Sequence, residues 1–356
     1  ASVDVVRALL AAHPQAARQW GTPPDSLPLH LACQHGASAD VVQALLAVYP
    51  EAARQGRKVF PDYDGETALP LHIALEQKEA PVEVEVVLAL LGAYPEAVQV
   101  SSWIAPLHIA LRSRASVDIV QALLRAHPEA AQQEAAASAL SCALSEGASV
   151  QIVQLLLAAH PEAARQQTVD GALPLHVACE HRASVDVVQA LLAVHPAAAG
   201  QQTRDGALPL HVACKHRASV DVVQVLLAAH PEAVHQEMMM WEQPSWNGDD
   251  NTSYALPLHV ACQFRASVEV VQALLAVYPE AVQQEIILYD GDDGPYGVLP
   301  LHLALLGCRR FEYAQLDVVQ ALLAVYPEAA RRQLHGGSYK ERGAFPLHLI
   351  LKQGDV

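Results

Sequence analysis

Apolar residues recur along this chain in two alternating patterns. One is a short run opened by proline, as in Pro174-Leu175-His176-Val177-Ala178-Cys179. The other is a longer run, Val185-Asp186-Val187-Val188-Gln189-Ala190-Leu191-Leu192-Ala193-Val194. The first predicts a helix with proline at its first position, where the missing N–H is no loss. The second predicts a helix that is apolar on nearly all sides. Its polar line is a glutamine stripe: Gln43, Gln121, Gln154, Gln189, Gln224, Gln272 and Gln320. Ser184 is the expected N-cap, recurring as Ser2, Ser38, Ser116, Ser149, Ser219 and Ser267. A serine oxygen there accepts a free N–H of the first turn. An acid follows two residues on (Asp4, Asp40, Asp118, Asp186, Asp221, Glu269), where the helix dipole favours negative charge. The helix ends at His-Pro or Tyr-Pro, because proline cannot continue its hydrogen bonding. The Pro-Glu-Ala-Ala that follows predicts one more short turn.

These two patterns form a repeat. Leu-Pro-Leu-His stands at 27–30, 69–72, 173–176, 208–211, 256–259 and 299–302, with variants at 105–108 and 345–348 and a degraded copy at Ser138–Ser141. The copies lie 33 to 48 residues apart, about 35 without insertions. A helix that is apolar all round must be covered on both sides. One helix pair cannot do that, and a stack can. The expectation is an all-α helix-turn-helix solenoid of nine stacked helix pairs. It forms one domain over residues 1–356, beginning and ending mid-repeat as a piece of a longer chain.

Asp170-Gly171-Ala172-Leu173-Pro174-Leu175-His176-Val177-Ala178-Cys179, followed by Val187-Val188-Gln189-Ala190-Leu191-Leu192, resembles the ankyrin repeat. The resemblance extends along the whole chain. It implies a non-enzymatic protein–protein interaction scaffold that binds through a concave face and inter-repeat loops. It also implies that His30, His72, His108, His176, His211, His259, His302 and His348 hydrogen-bond backbone and tie adjacent loops. Departures are visible. Leu replaces the family's Thr before proline, so a usual side-chain cap is lost. Arg182, Arg217 and Arg265 stand where the family closes the first helix with Gly.

Charge narrows the partner. Lys and Arg number 22, Asp and Glu 38, for a net charge of −16. Phosphate binding needs cations, so neither nucleic acid nor an anionic membrane is expected as partner. No apolar stretch is long enough to span a bilayer. Cys33, Cys179, Cys214 and Cys262 occupy one place in four repeats. Equivalent positions in packed helices lie roughly 8–10 Å apart, beyond disulfide reach. Reduced thiols fit a cytoplasmic or nuclear protein.

The chemistry-bearing residues are mostly explained by repetition. Histidines one repeat apart cannot share an ion, and Asp290–Gly294 lacks the distant glutamate of a calcium loop. No metal, cofactor or catalytic set is expected. Two features stand out as binding candidates. The first is the turn between the helices. Counting the fourth to sixth residues after each tetrad, eight are basic and three acidic, against the trend of the chain. Arg112, Arg114, His181, Arg182, Lys215, His216, Arg217, Phe264 and Arg265 make up this stripe. Such a stripe suits an acidic peptide or helix. The second is a pair of insertions, 237–254 and 285–298, which carry Trp241, Trp246, Tyr254, Tyr289 and Tyr296 beside acids. They are expected to project together as loops. Two rival functions remain: a recognition module of a larger enzyme or channel, and an architectural spacer. Further expectations are an irregular start to the degraded first helix near Ala135–Ala143 and exposed apolar ends at Val5, Leu9, Leu349 and Ile350 that favour end-to-end association.

Overall fold

The structure, a computed structural model, describes residues 2–21, 26–58, 67–77, 82–99, 105–127, 135–240, 253–289, 295–306, 315–336 and 343–351. It divides into two compact units, Ala1–Ala163 and Ala164–Val356. In both, the chain alternates short and long helices, in the all-α helix-turn-helix repeat fold.

The first unit holds short helices Pro28–Gln34, Pro70–Leu75 and Pro106–Arg112, and a longer fourth, Ala135–Ser145. Its second helices are Val3–Ala12, Ala39–Val48, Val84–Ala93, Val117–Ala126 and Val150–Ala159. The second unit repeats the plan. Its short helices are Pro174–Glu180, Pro209–Lys215, Pro257–Gln263, Pro300–Leu306 and Pro346–Leu351. Its long ones are Val185–Val194, Val220–Ala229, Val268–Val277 and Leu316–Val325. Within each unit every first helix packs on the next first helix, and every second helix on the next second. This stacking covers both sides of the apolar helices. In the helix Val185–Val194, Val187, Val188, Leu191 and Leu192 are buried while Gln189 faces solvent.

The caps differ from the expected ones. Ser2, Ser38, Ser116, Ser149, Ser184, Ser219 and Ser267 do hold the N-cap position with extended backbone. Only Ser219 accepts a bond from the first turn, from the Val222 N–H at 3.4 Å. At Ser267 the hydroxyl instead bonds the Glu269 carboxylate, which holds that acid below its usual range. The acid two residues on competes for the hydroxyl. Elsewhere a neighbouring repeat supplies the cap: the Ala39 N–H donates to Glu83 Oε2 at 3.2 Å.

Six of the described first helices end in one fixed way. The Ala183 N–H bonds the Ala178 carbonyl at 2.9 Å, and the Arg182 N–H bonds the Cys179 carbonyl at 3.2 Å. This pair of bonds is a Schellman ending, which places the residue before Ala183 in the left-handed region. The same ending recurs at Gly36, Arg114, Gly147, Arg217 and Arg265. Among the described residues, the proline-led segment after a second helix forms a short 3-10 turn, as at Pro50–Arg54, Pro231–His235 and Pro279–Gln283.

The degraded repeat keeps its first helix. It starts at Ala135, four residues ahead of the place where proline starts the others, and Ala139, Leu140, Ala143 and Leu144 are buried. With no proline to set the start, the alanine run extends the helix backward. At the chain's ends Val5, Leu9 and Ile350 are exposed as expected, but Leu349 is buried, since Pro346–Leu351 packs on Pro300–Leu306.

The insertions form β-hairpins at their bases. Met238–Met240 pairs antiparallel with Ser253–Ala255, and Ile286–Tyr289 with Pro295–Val298. His335–Gly336 adds a third strand to the latter. A smaller pair, Arg57–Lys58 with Thr67–Ala68, lies in the first unit. Strand Ser253–Ala255 packs beside Ile286–Tyr289, so the two insertions adjoin at their bases.

Candidate functional site

The repeat histidines sit at the third position of the first helices; six of the eight are buried, His108 is half-buried and His348 is exposed. The Leu208 N–H donates to His211 Nδ1 at 3.1 Å. An accepting Nδ1 carries no proton, so the proton is on Nε2. That nitrogen donates at 3.0 Å to the Gln236 carbonyl, where the chain leaves its own repeat for the next. His30, His176 and His302 make the same pair of bonds, to Gln55, Ala207 and Arg332. His259 donates to the Gln284 carbonyl at 2.9 Å, and His348 accepts from the Phe345 N–H. The histidine thus supplies the N-terminal cap that Leu in place of Thr gives up. Burial pushes His30, His108 and His176 down and holds His211 and His259 at about 4. These rings are neutral ties between repeats.

The repeat cysteines are buried and free. Burial pushes the thiols of Cys33, Cys179 and Cys214 up to about 12, and that of Cys262 higher still. Such thiols do not ionise, so they are inert packing groups. Among the described residues, no three His, Cys, Asp or Glu side chains gather to hold a metal ion, and no helix is long and apolar enough to cross a membrane.

The inter-helix turns are different. Arg114, Arg182, Arg217 and Arg265 have φ of 55°, 55°, 57° and 59°. Gly36 and Gly147 hold the same position at 59° and 70°. A side chain there costs roughly 1–2 kcal/mol relative to the right-handed region. In the second unit the arginines use their side chains. Arg182 Nε donates to the His216 carbonyl, one residue before the next left-handed arginine. Arg217 Nε donates to the Phe264 carbonyl at 2.7 Å, again one residue before the next. Lys215 and the two arginines are exposed, as is His181, while His216, Phe264 and Arg265 are half-buried. Burial lowers the His216 pKa, Glu180 opposes that shift, and Lys215, Arg182 and His181 add to it. The structure therefore gathers His181, Arg182, Lys215 and His216 around one spot, with Glu180 as the acid beside them. Among the described residues, no ion pair reaches Arg182, Lys215 or Arg217. Arg112 and Arg114 are exposed in the first unit. There Gly36 leaves room for Gln77 of the next repeat, whose amide donates back to the Cys33 carbonyl.

The connections between repeats build a second surface. Thr203-Arg204-Asp205-Gly206-Ala207 closes a tight turn, with the Thr203 N–H on the Ala207 carbonyl at 3.0 Å and Gly206 at φ 74°. The Arg204 N–H donates to the Asp170 carbonyl, and the Met239 N–H to the Asp205 carbonyl, so successive connections are laddered through backbone. Further along, Tyr254 is 49% exposed and Ile287 is 53% exposed on neighbouring strands. Trp241 and Trp246 lie outside the described residues. Tyr289 and Tyr296 stand on paired strands, and their side chains lie outside the described set.

A protein-family model described as ankyrin repeats (3 copies) matches residues 107–203 and 139–238. Residues 107–238 carry ankyrin repeats. The same Pro-Leu-His starts and Schellman endings lie on either side of the matched residues. A crystal structure of the ankyrin repeat domain of Bcl-3, described as a unique member of the IkappaB protein family, is similar at 23% identity and a TM-score of 0.44, over 70% of this chain and 98% of that one. No curated protein matches the chain.

Ankyrin repeats are protein–protein interaction modules, and several ties of this array were not legible in its sequence. Arg18 lies over the ring of Tyr49 at 5.1 Å, and Arg54 over Tyr94 at 5.0 Å. Each joins a 3-10 turn to the aromatic C-cap of the next repeat. His235 meets Tyr278 in the same way, with ring centroids 4.1 Å apart. The partners stand 31, 40 and 43 positions apart in the sequence, so nothing local pairs them.

Proposed function

We propose that this chain is a non-enzymatic scaffold that binds another protein through the face carrying its inter-helix turns, with the inter-repeat connections as a second contact. The observation that carries this reading is the group His181, Arg182, Lys215, His216 and Arg217. These residues are exposed or half-buried on consecutive ankyrin repeats, and the two arginines and the lysine have no carboxylate partner among the described residues. On a chain with net charge −16, a cationic face of this kind selects for an acidic partner. The exposed Tyr254 and Ile287 offer apolar contact at the connections.

The test is affinity capture from the native cells with the intact chain as bait. Arg182→Glu with Arg217→Glu should weaken retention, more at low than at high salt, because exposed charges are screened beyond about 8–10 Å at ordinary ionic strength. Shortening 237–254 to the length of the Gln201–Ala207 connection should weaken it further while leaving the fold intact. Unchanged retention by both variants, with native circular dichroism, rejects the assignment.

A further inference from the structure

We infer that Arg182 and Arg217 present fixed guanidinium forks that take an extended acidic segment of a partner protein, with a carboxylate at every third residue. This rests on the scaffold reading above and names the partner's chemistry. Gly36 and Gly147 close the same Schellman turn with no side chain and no strain. Arginine adds nothing to the turn itself, so what it adds is its side chain. In an observed backbone outlier, such an addition points to function. The Nε–H of each arginine is taken by a carbonyl of the next repeat. That bond sets the plane of the guanidinium. It leaves the Nη1 and Nη2 edge, whose parallel N–H groups match the two oxygens of a carboxylate. Both side chains are exposed, and among the described residues neither makes another hydrogen bond or ion pair. A lysine-like role as a diffuse charge would need no such fixing.

Spacing selects the ligand's shape. Equivalent groups on packed repeats stand roughly 8–10 Å apart. A polyproline II segment returns to the same face every third residue, after about 9.3 Å. A β-strand returns after about 6.6 Å, too short to match. Lys215 extends the cationic surface beside the forks, and Glu180 bounds it. A long polyanion would run past this patch onto the acidic remainder of the chain, so a short acidic segment fits better than nucleic acid.

The test uses the whole chain and fluorescence anisotropy with three labelled probes. One is a peptide repeating Glu-Pro-Pro, one repeats Glu-Pro with the same number of carboxylates, and one is oligothymidylate. Two matched forks should favour the Glu-Pro-Pro peptide by about tenfold over the Glu-Pro one. R182K with R217K keeps the charge and should abolish that preference. R182G with R217G should abolish binding while the chain still melts cooperatively. Equal affinity for the two peptides, a preference that survives the lysine variant, or oligothymidylate binding as tight as the better peptide overturns the inference. If the peptides fail but Arg182→Glu with Arg217→Glu still weakens capture of the native partner, the scaffold reading stands without the forks. If capture is also unchanged, both fall.

Discussion

At the two ends of its first helix, a repeat ties itself to the next in two ways. At the start, His211 Nε2 donates to the Gln236 carbonyl at 3.0 Å, while at the end Arg217 Nε donates to the Phe264 carbonyl at 2.7 Å. Both bonds run from a side chain to a backbone acceptor beyond the second helix of its own repeat. His211 is fully buried and spends both ring nitrogens, so nothing remains to meet a partner. Arg217 is exposed, spends one donor, and keeps its charge and four N–H groups. Burial separates the roles. The buried tie leaves no polar group over, and the exposed tie leaves a charged group facing solvent.

The comparison breaks if the two ties cost the same to remove. His211→Ala strips a partner from the Leu208 N–H and from the Gln236 carbonyl and opens a cavity, so it should cost on the order of 3–5 kcal/mol. Hydrogen exchange around residues 208–236 should report the loss, because repeat arrays open locally.

Acid should act on the buried ties and spare the exposed ones. The folded-state pKa values of His211 and His259 are held at about 4 by burial, whereas the unfolded rings titrate near 6.5. Between those values the unfolded chain binds more protons, so stability is present above about pH 6.5 and falls as pH drops toward 4. Each such ring contributes a slope of about 1.4 kcal/mol per pH unit within that window. Denaturant melts at pH 7 and pH 5 check this. A flat profile would mean that the rings are not buried neutral ties.

Smaller effects sharpen the arginine side. Arg217→Ala keeps the left-handed strain and loses the tie, and should cost about 1 kcal/mol. Gly147→Ala should cost about 1 kcal/mol through φ alone, since no neighbouring atom lies within 4 Å of the new Cβ. Arg217→Gly loses the tie but relieves the strain, so thermal melting should shift least of all. A glycine variant as unstable as the alanine one would show that strain at this position is negligible.

Most of the fold was legible because it repeats. Proline at the first helical position, the recurring N-cap position and the His-Pro or Tyr-Pro stops located the helices, except at the degraded repeat, where no proline marks the start of the first helix. The expected serine caps are made at Ser219 alone of the seven, and at Ser267 an acid two residues on takes the hydroxyl. The strands at the insertions were missed for a different reason. Ile286, Ile287 and Leu288 are all apolar, yet they are 5%, 53% and 4% exposed. The alternation of a half-buried strand exists there in burial and not in polarity. The basic turn residues were visible as a charge bias, but their left-handed backbone and shared acceptors were not.

Local chemistry along the chain set the elements: where each helix starts and stops, which side chains are apolar, and that no helix pair can bury itself alone. Those properties depend on residues within one turn of each other, so they can be read from one repeat. Stacking decided the rest. Only tertiary packing supplies the carbonyl that holds the His211 tautomer, the acceptor that fixes the plane of Arg217, and the aromatic C-cap beneath Arg54. These contacts join residues some 25 to 47 positions apart, where the intervening chain has no local preference for bringing them together. Their distances are set by how the helices pack, and so is the division between ties that are sealed and ties that still face solvent.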